Sequence, residues 1–278
     1  MSGNGARADH AEPPRLRLGG MALRNGLLIH GPTSWAVAAR AADGSIEVAS
    51  GPKPSFARGR LAEIPLVRGP LRLAEAMAIV PLARMRLRSA RLPFEDPRVI
   101  AVGVATALAT RALRRRGPAT VMSEGVIAAL GALPALAALR DRDLAAYHGV
   151  EHKAIGAYER GEPDPATVPK EHERCGSNLI APMVAMSVAG QVLLAKVADR
   201  PGPISRTAVA VAGAGGAVEL FAYAERNPDS PLGRAIHVPG YEIQRLLSTK
   251  EPTEEQLAVG VAALDEILRA EEAKNPSD

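Results

Sequence analysis

The sequence predicts a mainly α-helical protein with Ala/Gly-rich helices, partly embedded in a membrane, and a small β-hairpin near the N-terminus. Of its 278 residues, 47% are hydrophobic but only 3% are aromatic, so the helices must pack closely through small side chains, in water or in lipid. Four uncharged segments are rich in Ala, Gly, Val and Leu: 99–110, 125–139, 178–195 and 207–218. Asp43-Gly44 lies between two short alternating runs, 34–40 and 45–50, and this arrangement predicts the hairpin.

The two ends of the chain differ in composition from the part between them. Residues 1–18 are polar, contain Pro13-Pro14 and lack the apolar core of a secretory signal, so we expect a disordered N-terminal arm. Residues 273–278 are expected to form a loose tail, which leaves one domain over 19–272. Near its end, Thr253-Glu-Glu-Gln256 has the form of a capping box. It predicts a C-terminal helix with an apolar face that packs on the domain, on another protein or on a second copy, with that face made by Leu257, Val261, Leu264 and Leu268.

Charge and cysteine content exclude some classes of function. The net charge of +4 is too small to indicate nucleic-acid binding, and no aromatic residues alternate with the arginine clusters as they do in single-strand binders. We therefore expect no nucleic-acid partner. Cys175 is the single cysteine, which excludes an intrachain disulfide and favours a reducing compartment.

The four apolar segments do not all have the length of a membrane span, which is about 20 residues. Segment 178–195 comes nearest, although it contains Asn178 and Gln191, whereas 207–218 reaches that length only if it continues through Glu219 to residue 224. Segment 125–139 is interrupted by Pro134. Segment 99–110 has arginines at both ends, so we expect it to dip into the membrane or lie on it. Hydropathy alone leaves buried helices of a soluble protein open, and the arginines fit either anionic lipid or a solvated helix face.

A metal site is predicted on one helix. Residues Leu144, Tyr147, Val150, Ala154 and Tyr158 recur at helical spacing, which places His148 and His152 one turn apart with Glu151 on the same side. This is the H-x-x-E-H order of the inverted zincins, in which two imidazoles hold one metal ion and the carboxylate acts as general base. Alternatively, the histidines form hydrogen bonds inside a helical core.

Three other residues strengthen the metal prediction. His172 and Cys175 lie one turn apart and form a second nitrogen and sulfur pair. Glu219 is a carboxylate in an uncharged helix, which is costly unless the carboxylate is paired or bound to a cation. Zinc accepts all of these ligand types. The predicted ligands are therefore His148, His152, His172, Cys175 and Glu219. An open coordination position would indicate hydrolysis with Glu151 as base. Four protein ligands would instead indicate a non-catalytic membrane or scaffold protein with a structural metal site.

Several motifs, spread over roughly 19–270, resemble a known bacterial family. They are 19–32 (GGMALRNGLLIHGP), 64–69 (IPLVRG), 147–153 (YHGVEHK), 172–177 (HERCGS), Glu219 in the late apolar helix, and the ending around 239–252. With these motifs the chain resembles the YqhQ-like proteins. The resemblance implies a membrane-embedded, metal-dependent enzyme of unknown substrate in the bacterial cytoplasmic membrane, with the cytoplasm as the alternative.

The opening motif departs from the family pattern at two positions. Asn25 stands where the family has glutamate, and His30 where it has arginine. If that pair takes part in chemistry, this member is altered or inactive.

Overall fold

The fold begins with a four-stranded antiparallel sheet. A computed structural model describes residues 15–56, 59–117, 119–198 and 201–274. The strands are β1 Gly19–Leu23, β2 Gly26–His30, β3 Ser34–Arg40 and β4 Ile46–Pro52, and each pairs with the next along the chain. The predicted hairpin is confirmed as β3–β4, with Arg40 opposite Ile46. The sheet is larger than predicted because the glycine-rich opening motif adds β1 and β2.

Both faces of the sheet are covered, and side chains that alternate along the strands divide the core in two. Leu27, Ile29, Ala36 and Ala38 belong to one cluster, which includes residues of helices α4 (Arg142–Arg160) and α8 (Glu254–Glu272). Leu28, Trp35, Val37 and Ala39 belong to the other, beneath α1 (Arg68–Arg86). This period of two is the expected geometry of a strand, but with both faces buried the strands read as continuous apolar runs.

The predicted helical class is confirmed, with eight α-helices in the described residues. The remaining five are α2 (Pro97–Arg115), α3 (Val121–Ala138), α5 (Ile180–Val197), α6 (Pro203–Arg226) and α7 (Pro231–Ile243), which continues as a π-helical turn over Gln244–Ser248.

Three stretches in the described part of the chain are long and apolar enough to cross a membrane. They are Val121–Ala138, Gly176–Val197 and Pro203–Arg226, and only 11%, 17% and 28% of their apolar windows are buried by protein. The first is a full helix despite Pro134, which the sequence pattern treated as an interruption. Helix α2, which contains segment 99–110, is not among the three, as expected from its basic flanks.

The apolar helices form two packed pairs, and the ends of three of these helices contact the sheet or residues next to it. Helix α2 packs on α3 and α5 packs on α6, with short connections between the partners. On the sheet side, Asp96 before α2 pairs with Arg24, Ala138 at the end of α3 contacts the first core cluster, and Glu225 near the end of α6 pairs with Arg17.

The ends of the predicted domain pack on its core. Residues 1–14 of the predicted arm and 275–278 of the predicted tail lie outside the described residues, but residues 15–18 follow α4, and Leu18 is buried. Helix α8 packs on the sheet and on α4, with Val259, Ala263 and Ile267 fully buried. Its buried face is rotated from the predicted one: Val261 is exposed and three leucines line the edge, because smaller residues allow closer approach. A protein partner through α8 stays a prediction.

Candidate metal centre

The candidate site is built on α4, the most buried helix of the domain. Asp141 caps its start by accepting hydrogen bonds from the amides of Asp143 and Leu144. Gly161 ends it in the left-handed conformation, with φ of 73°. Between these caps, nearly every residue from 144 to 157 is buried, so polar side chains in this stretch face protein and not water.

Three of the predicted ligands come together. The potential donor atoms of His148, His152 and Cys175 all lie within 4.8 Å of one another. The Sγ atom of Cys175 is 3.4 Å from Nε2 of His148. Sulfur and nitrogen ligands on one tetrahedral zinc ion lie about 3.6 Å apart, given bond lengths of about 2.3 and 2.0–2.1 Å. The spacing of this cluster therefore fits a single ion.

Backbone carbonyls orient both histidine rings toward the centre of the cluster. Nδ1 of His148 lies 2.8 Å from the carbonyl oxygen of Ser248, and Nδ1 of His152 lies 2.6 Å from that of Lys170. A carbonyl oxygen only accepts, so each Nδ1 carries the proton and each Nε2 keeps a free lone pair. Nε2 of His152 is buried and has no hydrogen-bond partner among the described residues. Metal-binding histidines are held in this way.

Burial shifts the pKa values of His152 and Cys175. Loss of solvent lowers the pKa of His152 well below its ordinary value, so its ring is neutral at neutral pH, which is the form that binds metals. Burial raises the pKa of the Cys175 thiol, while hydrogen bonding from Ser177 opposes that shift. The amide of Ser177 lies 3.5 Å from Sγ and would also stabilise a thiolate.

Glu151 lies beside the cluster and against the first strand. It is buried, and burial raises the pKa of its carboxyl group to about 7, with His148 opposing the shift and Cys175 adding to it. A Cβ atom placed on Gly20 would lie 2.7 Å from Cγ and 2.9 Å from Oε1 of Glu151. Only glycine at position 20 leaves room for this carboxylate.

His172 lies next to the cluster but its nitrogens have other partners. Its ring centroid is 5.7 Å from that of His152. Its Nε2 is 3.1 Å from a carboxylate oxygen of Glu159, and its Nδ1 accepts a hydrogen bond from the amide of Arg174 at 3.2 Å. The structure therefore does not bring His172 into the group of potential ligands.

Glu219, the fifth predicted ligand, lies on α6 and is paired with an arginine. Both of its carboxylate oxygens accept hydrogen bonds from Arg68, at 2.7 and 2.5 Å. Arg68 belongs to the 64–69 motif, and sequence reasoning overlooked it. The cost of a carboxylate in an apolar helix is offset by this pairing.

Two lysines next to the ligands hold the loop that orients His152. Lys153 is buried, donates to the carbonyls of Ala166 and Val168, and pairs with Glu251. Lys170, whose carbonyl accepts the hydrogen bond from Nδ1 of His152, pairs with Glu171. The sequence marks Lys153 as the last residue of the YHGVEHK motif. The role of Lys153 depends on contacts with a later loop, which the motif does not show.

The two altered positions of the opening motif lie apart from the ligand group. The Asn25 side chain donates to the carbonyls of Arg40 and Ser89 and accepts from the amide of Arg91, so it joins the sheet to the end of α1. Burial, reinforced by nearby Lys53, lowers the pKa of His30 to about 4.

Comparison with known proteins identifies relatives but no established activity. A family model described as "Protein of unknown function (DUF1385)" matches residues 119–270, which include all three clustered ligands. The chain is 31% identical over 129 residues to "Uncharacterized protein YqhQ" of Bacillus subtilis (strain 168). That match covers 45% of this chain and 40% of the relative, so the chain spans less than half of the curated protein. No solved structure matches.

Proposed function

The chain belongs to the DUF1385 family of proteins of unknown function, and we propose that it is a membrane-associated metalloenzyme of the zinc type. The observation that carries the proposal is the buried Nε2 of His152, which has no partner among the described residues and faces Nε2 of His148 and Sγ of Cys175. A buried nitrogen without a partner is costly. A metal ion in this position would remove that cost.

The number of ligands supports a catalytic site over a structural one. Catalytic zinc sites have three protein ligands and one open position, whereas structural sites are closed by four. Among the described residues, the two remaining candidates are engaged elsewhere: His172 with Glu159 and Glu219 with Arg68. A zinc ion with such a shell lowers the pKa of a bound water to about 7, which is the chemistry of hydrolysis.

Glu151 is the residue that we propose as general base. It belongs to the same helical turn as His148 and His152, and its carboxyl group interacts electrostatically with His148 and Cys175, which supports the assignment. The role requires it to accept a proton from water and to pass that proton to the leaving group. A carboxylate that is buried against Gly20 keeps one orientation for this transfer.

The exposed helices support placement in the bacterial cytoplasmic membrane. Large apolar side chains of α3, α5 and α6 face outward, including Met122, Leu193 and Ile204 at 78%, 62% and 87% exposure. Such surfaces on soluble proteins are rare unless another apolar phase covers them. Because the ends of α2, α3 and α6 lie on the sheet side, the candidate metal site would lie at the membrane surface on the domain side.

Metal analysis of the full chain, purified without a histidine tag, tests the first part of the proposal. We expect about one transition-metal ion per chain, with zinc the main species. Protein that purifies without stoichiometric metal, and binds none after attempted reconstitution, would refute the metal site.

Replacement of Glu151 by Gln tests the enzyme. The substitution preserves side-chain volume and removes the basic carboxylate, so metal content should persist while activity falls by roughly 10²–10⁴-fold. Complementation of a deletion phenotype is the readout, and Glu162→Gln, an exposed glutamate just beyond α4, is the control. A folded, metal-loaded Glu151→Gln protein that complements fully would favour a structural site.

A further inference from the structure

A cavity of about 1150 Å³ lies beside the metal cluster, and its wall is rich in arginine. It is lined by the residues before β1, the end of α4, the segment 172–174, the end of α6 and helix α7. Its wall contains two histidines, four glutamates and six arginines, the last being Arg15, Arg17, Arg160, Arg174, Arg226 and Arg234. None of the three clustered ligands lines it.

Most of the acidic groups in the wall are already paired. Glu225 pairs with Arg17, Glu159 with Arg174 and His172, and Glu242 with Arg245 outside the wall. Glu173 is the remaining carboxylate of the wall.

Three arginines of the wall form no ion pair with a described carboxylate, so their positive charge is available to an anionic ligand. Arg160 and Arg234 form no ion pair with described residues. Arg226 donates a hydrogen bond to the carbonyl of Ala222. All three are exposed. The cavity therefore carries excess positive charge, in the form of guanidinium groups that bind phosphate oxygens in pairs.

A histidine also belongs to the wall of the cavity. Nδ1 of His237 is buried and has no hydrogen-bond partner among the described residues. The ring packs against Phe221, with centroids 6.0 Å apart in an edge-to-face arrangement. Because Nδ1 is shielded from the cavity, the arginines supply the donors for an anionic ligand.

The cavity lies where a membrane-length helix meets the domain. Arg226 ends α6, and the nearby Tyr223 and Tyr241 are 43% and 48% exposed. Leu232 and Val238 of α7 are also exposed. Exposed tyrosines and arginines at the end of an apolar helix are typical of the headgroup region of a bilayer.

We propose that this cavity binds a phosphate group, carried by an anionic phospholipid or by a soluble phosphate. The proposal goes beyond the metal site and does not depend on it, although residues 172–174 line the cavity and lead directly into Cys175. A phosphate bound here would lie next to the metal-binding segment.

Binding to the full chain in neutral detergent tests the proposal, with native mass spectrometry and competition as the measurements. The probes are phosphatidylglycerol, phosphatidylcholine as a headgroup of no net charge, and inorganic phosphate. We expect one tightly bound phosphatidylglycerol or one bound phosphate per chain, and weaker binding of phosphatidylcholine. If millimolar phosphate fails to displace phosphatidylglycerol, the ligand is lipid-borne, and if phosphate binds and displaces it, the site recognises phosphate itself.

A triple variant, Arg160→Gln, Arg226→Gln and Arg234→Gln, locates the site. These side chains are exposed, so folding and metal content should not change, while affinity for the bound probe falls at least about tenfold. Arg142→Gln, an exposed arginine at the other end of α4, should bind as the wild type does. The proposal is overturned if no probe binds stoichiometrically, if the folded triple variant binds normally, or if Arg142→Gln weakens binding equally. A metal-free His152→Asn protein that still binds the probe separates this site from the metal site.

Discussion

Replacement of His152 by Asn should remove metal binding while the local fold is retained. The Nδ2 group of asparagine lies near the position of the histidine Nδ1, so the hydrogen bond to the Lys170 carbonyl, 2.6 Å in the wild type, can be kept. What the substitution removes is Nε2, the buried atom without a partner. It therefore separates the role of the ligand from that of the buried ring.

The expected loss follows from the number of ligands. Four-ligand zinc peptides bind zinc with about 10–16 kcal/mol, so each ligand contributes about 3 kcal/mol. The loss of one of three protein ligands should then weaken zinc binding by more than about 100-fold, since about 1.4 kcal/mol corresponds to a factor of ten. In a micromolar assay, such a protein should retain little metal.

The matched control is His172→Asn, at the neighbouring ring that was also predicted as a ligand. His172 uses its nitrogens for Glu159 and the Arg174 amide, so zinc affinity should remain within about threefold of wild type. The free energy of unfolding should change by about 1 kcal/mol, the usual contribution of a hydrogen bond. Competition against a chromogenic zinc indicator gives both affinities, and thermal unfolding checks the fold.

Two results would refute the three-ligand assignment. One is a folded His152→Asn protein with unchanged zinc affinity. The other is a His172→Asn protein that loses zinc to the same extent as His152→Asn. That result would make His172 a fourth protein ligand, and the site would then be structural.

Three further predictions concern the packing, pH dependence and location of the protein. Gly20→Ala should displace Glu151, since the added Cβ atom would lie 2.7 Å from its Cγ. We expect the free energy of unfolding to fall by about 1–3 kcal/mol while metal is retained. Unchanged stability would contradict the contact. Burial lowers the pKa of His30 to about 4, so between pH 6.5 and 4 the unfolded protein binds a proton at this residue more readily than the folded protein does. The free energy of unfolding should therefore be highest above pH 6.5 and fall by up to about 3 kcal/mol as the pH drops toward 4. Chemical denaturation of His30→Gln should lack that part of the pH dependence. The full chain should sediment with membranes and resist high salt, which screens only the arginines; release by salt alone would indicate peripheral attachment, and recovery in the soluble fraction at low salt would exclude the membrane.

Two of the three hairpins of the sheet show which local structure can be predicted from the sequence. Asp43-Gly44 has the turn chemistry of a tight hairpin, and β3–β4 forms around it. The β1–β2 turn at Arg24-Asn25 has no glycine, and neither residue has a positive φ. Contacts far along the chain hold it instead: Arg24 pairs with Asp96 and Asp141, and Asn25 bonds to residues 89 and 91. A local pattern cannot show such support.

The candidate site also has one part that could be predicted from the sequence and one part that could not. His148 and His152 are neighbours because an α-helix repeats every 3.6 residues, and this part of the prediction followed from spacing alone. Spacing cannot decide whether His172 or Cys175 joins the two histidines of α4 as a ligand, because both residues lie in one short segment. Their partners decide between them, since Glu159 engages His172 while Cys175 faces His148. Glu219 could be identified as a paired carboxylate, but its partner Arg68 is 151 residues away in sequence.

Contacts with α4 explain why motifs from distant parts of the chain belong to one site. The opening motif supplies Gly20, against which the Glu151 carboxylate packs. The ending supplies the Ser248 carbonyl that orients His148, and the Lys250 amide donates to the carbonyl of Ala145. Gly149 permits this second approach, because a Cβ atom there would collide with the Lys250 carbonyl. The strand, the middle segment with Cys175 and the C-terminal segment thus each approach one face of α4. A substitution at Gly20 or near Ser248 should therefore change the geometry of the candidate metal site, even though neither residue is one of the three clustered ligand candidates.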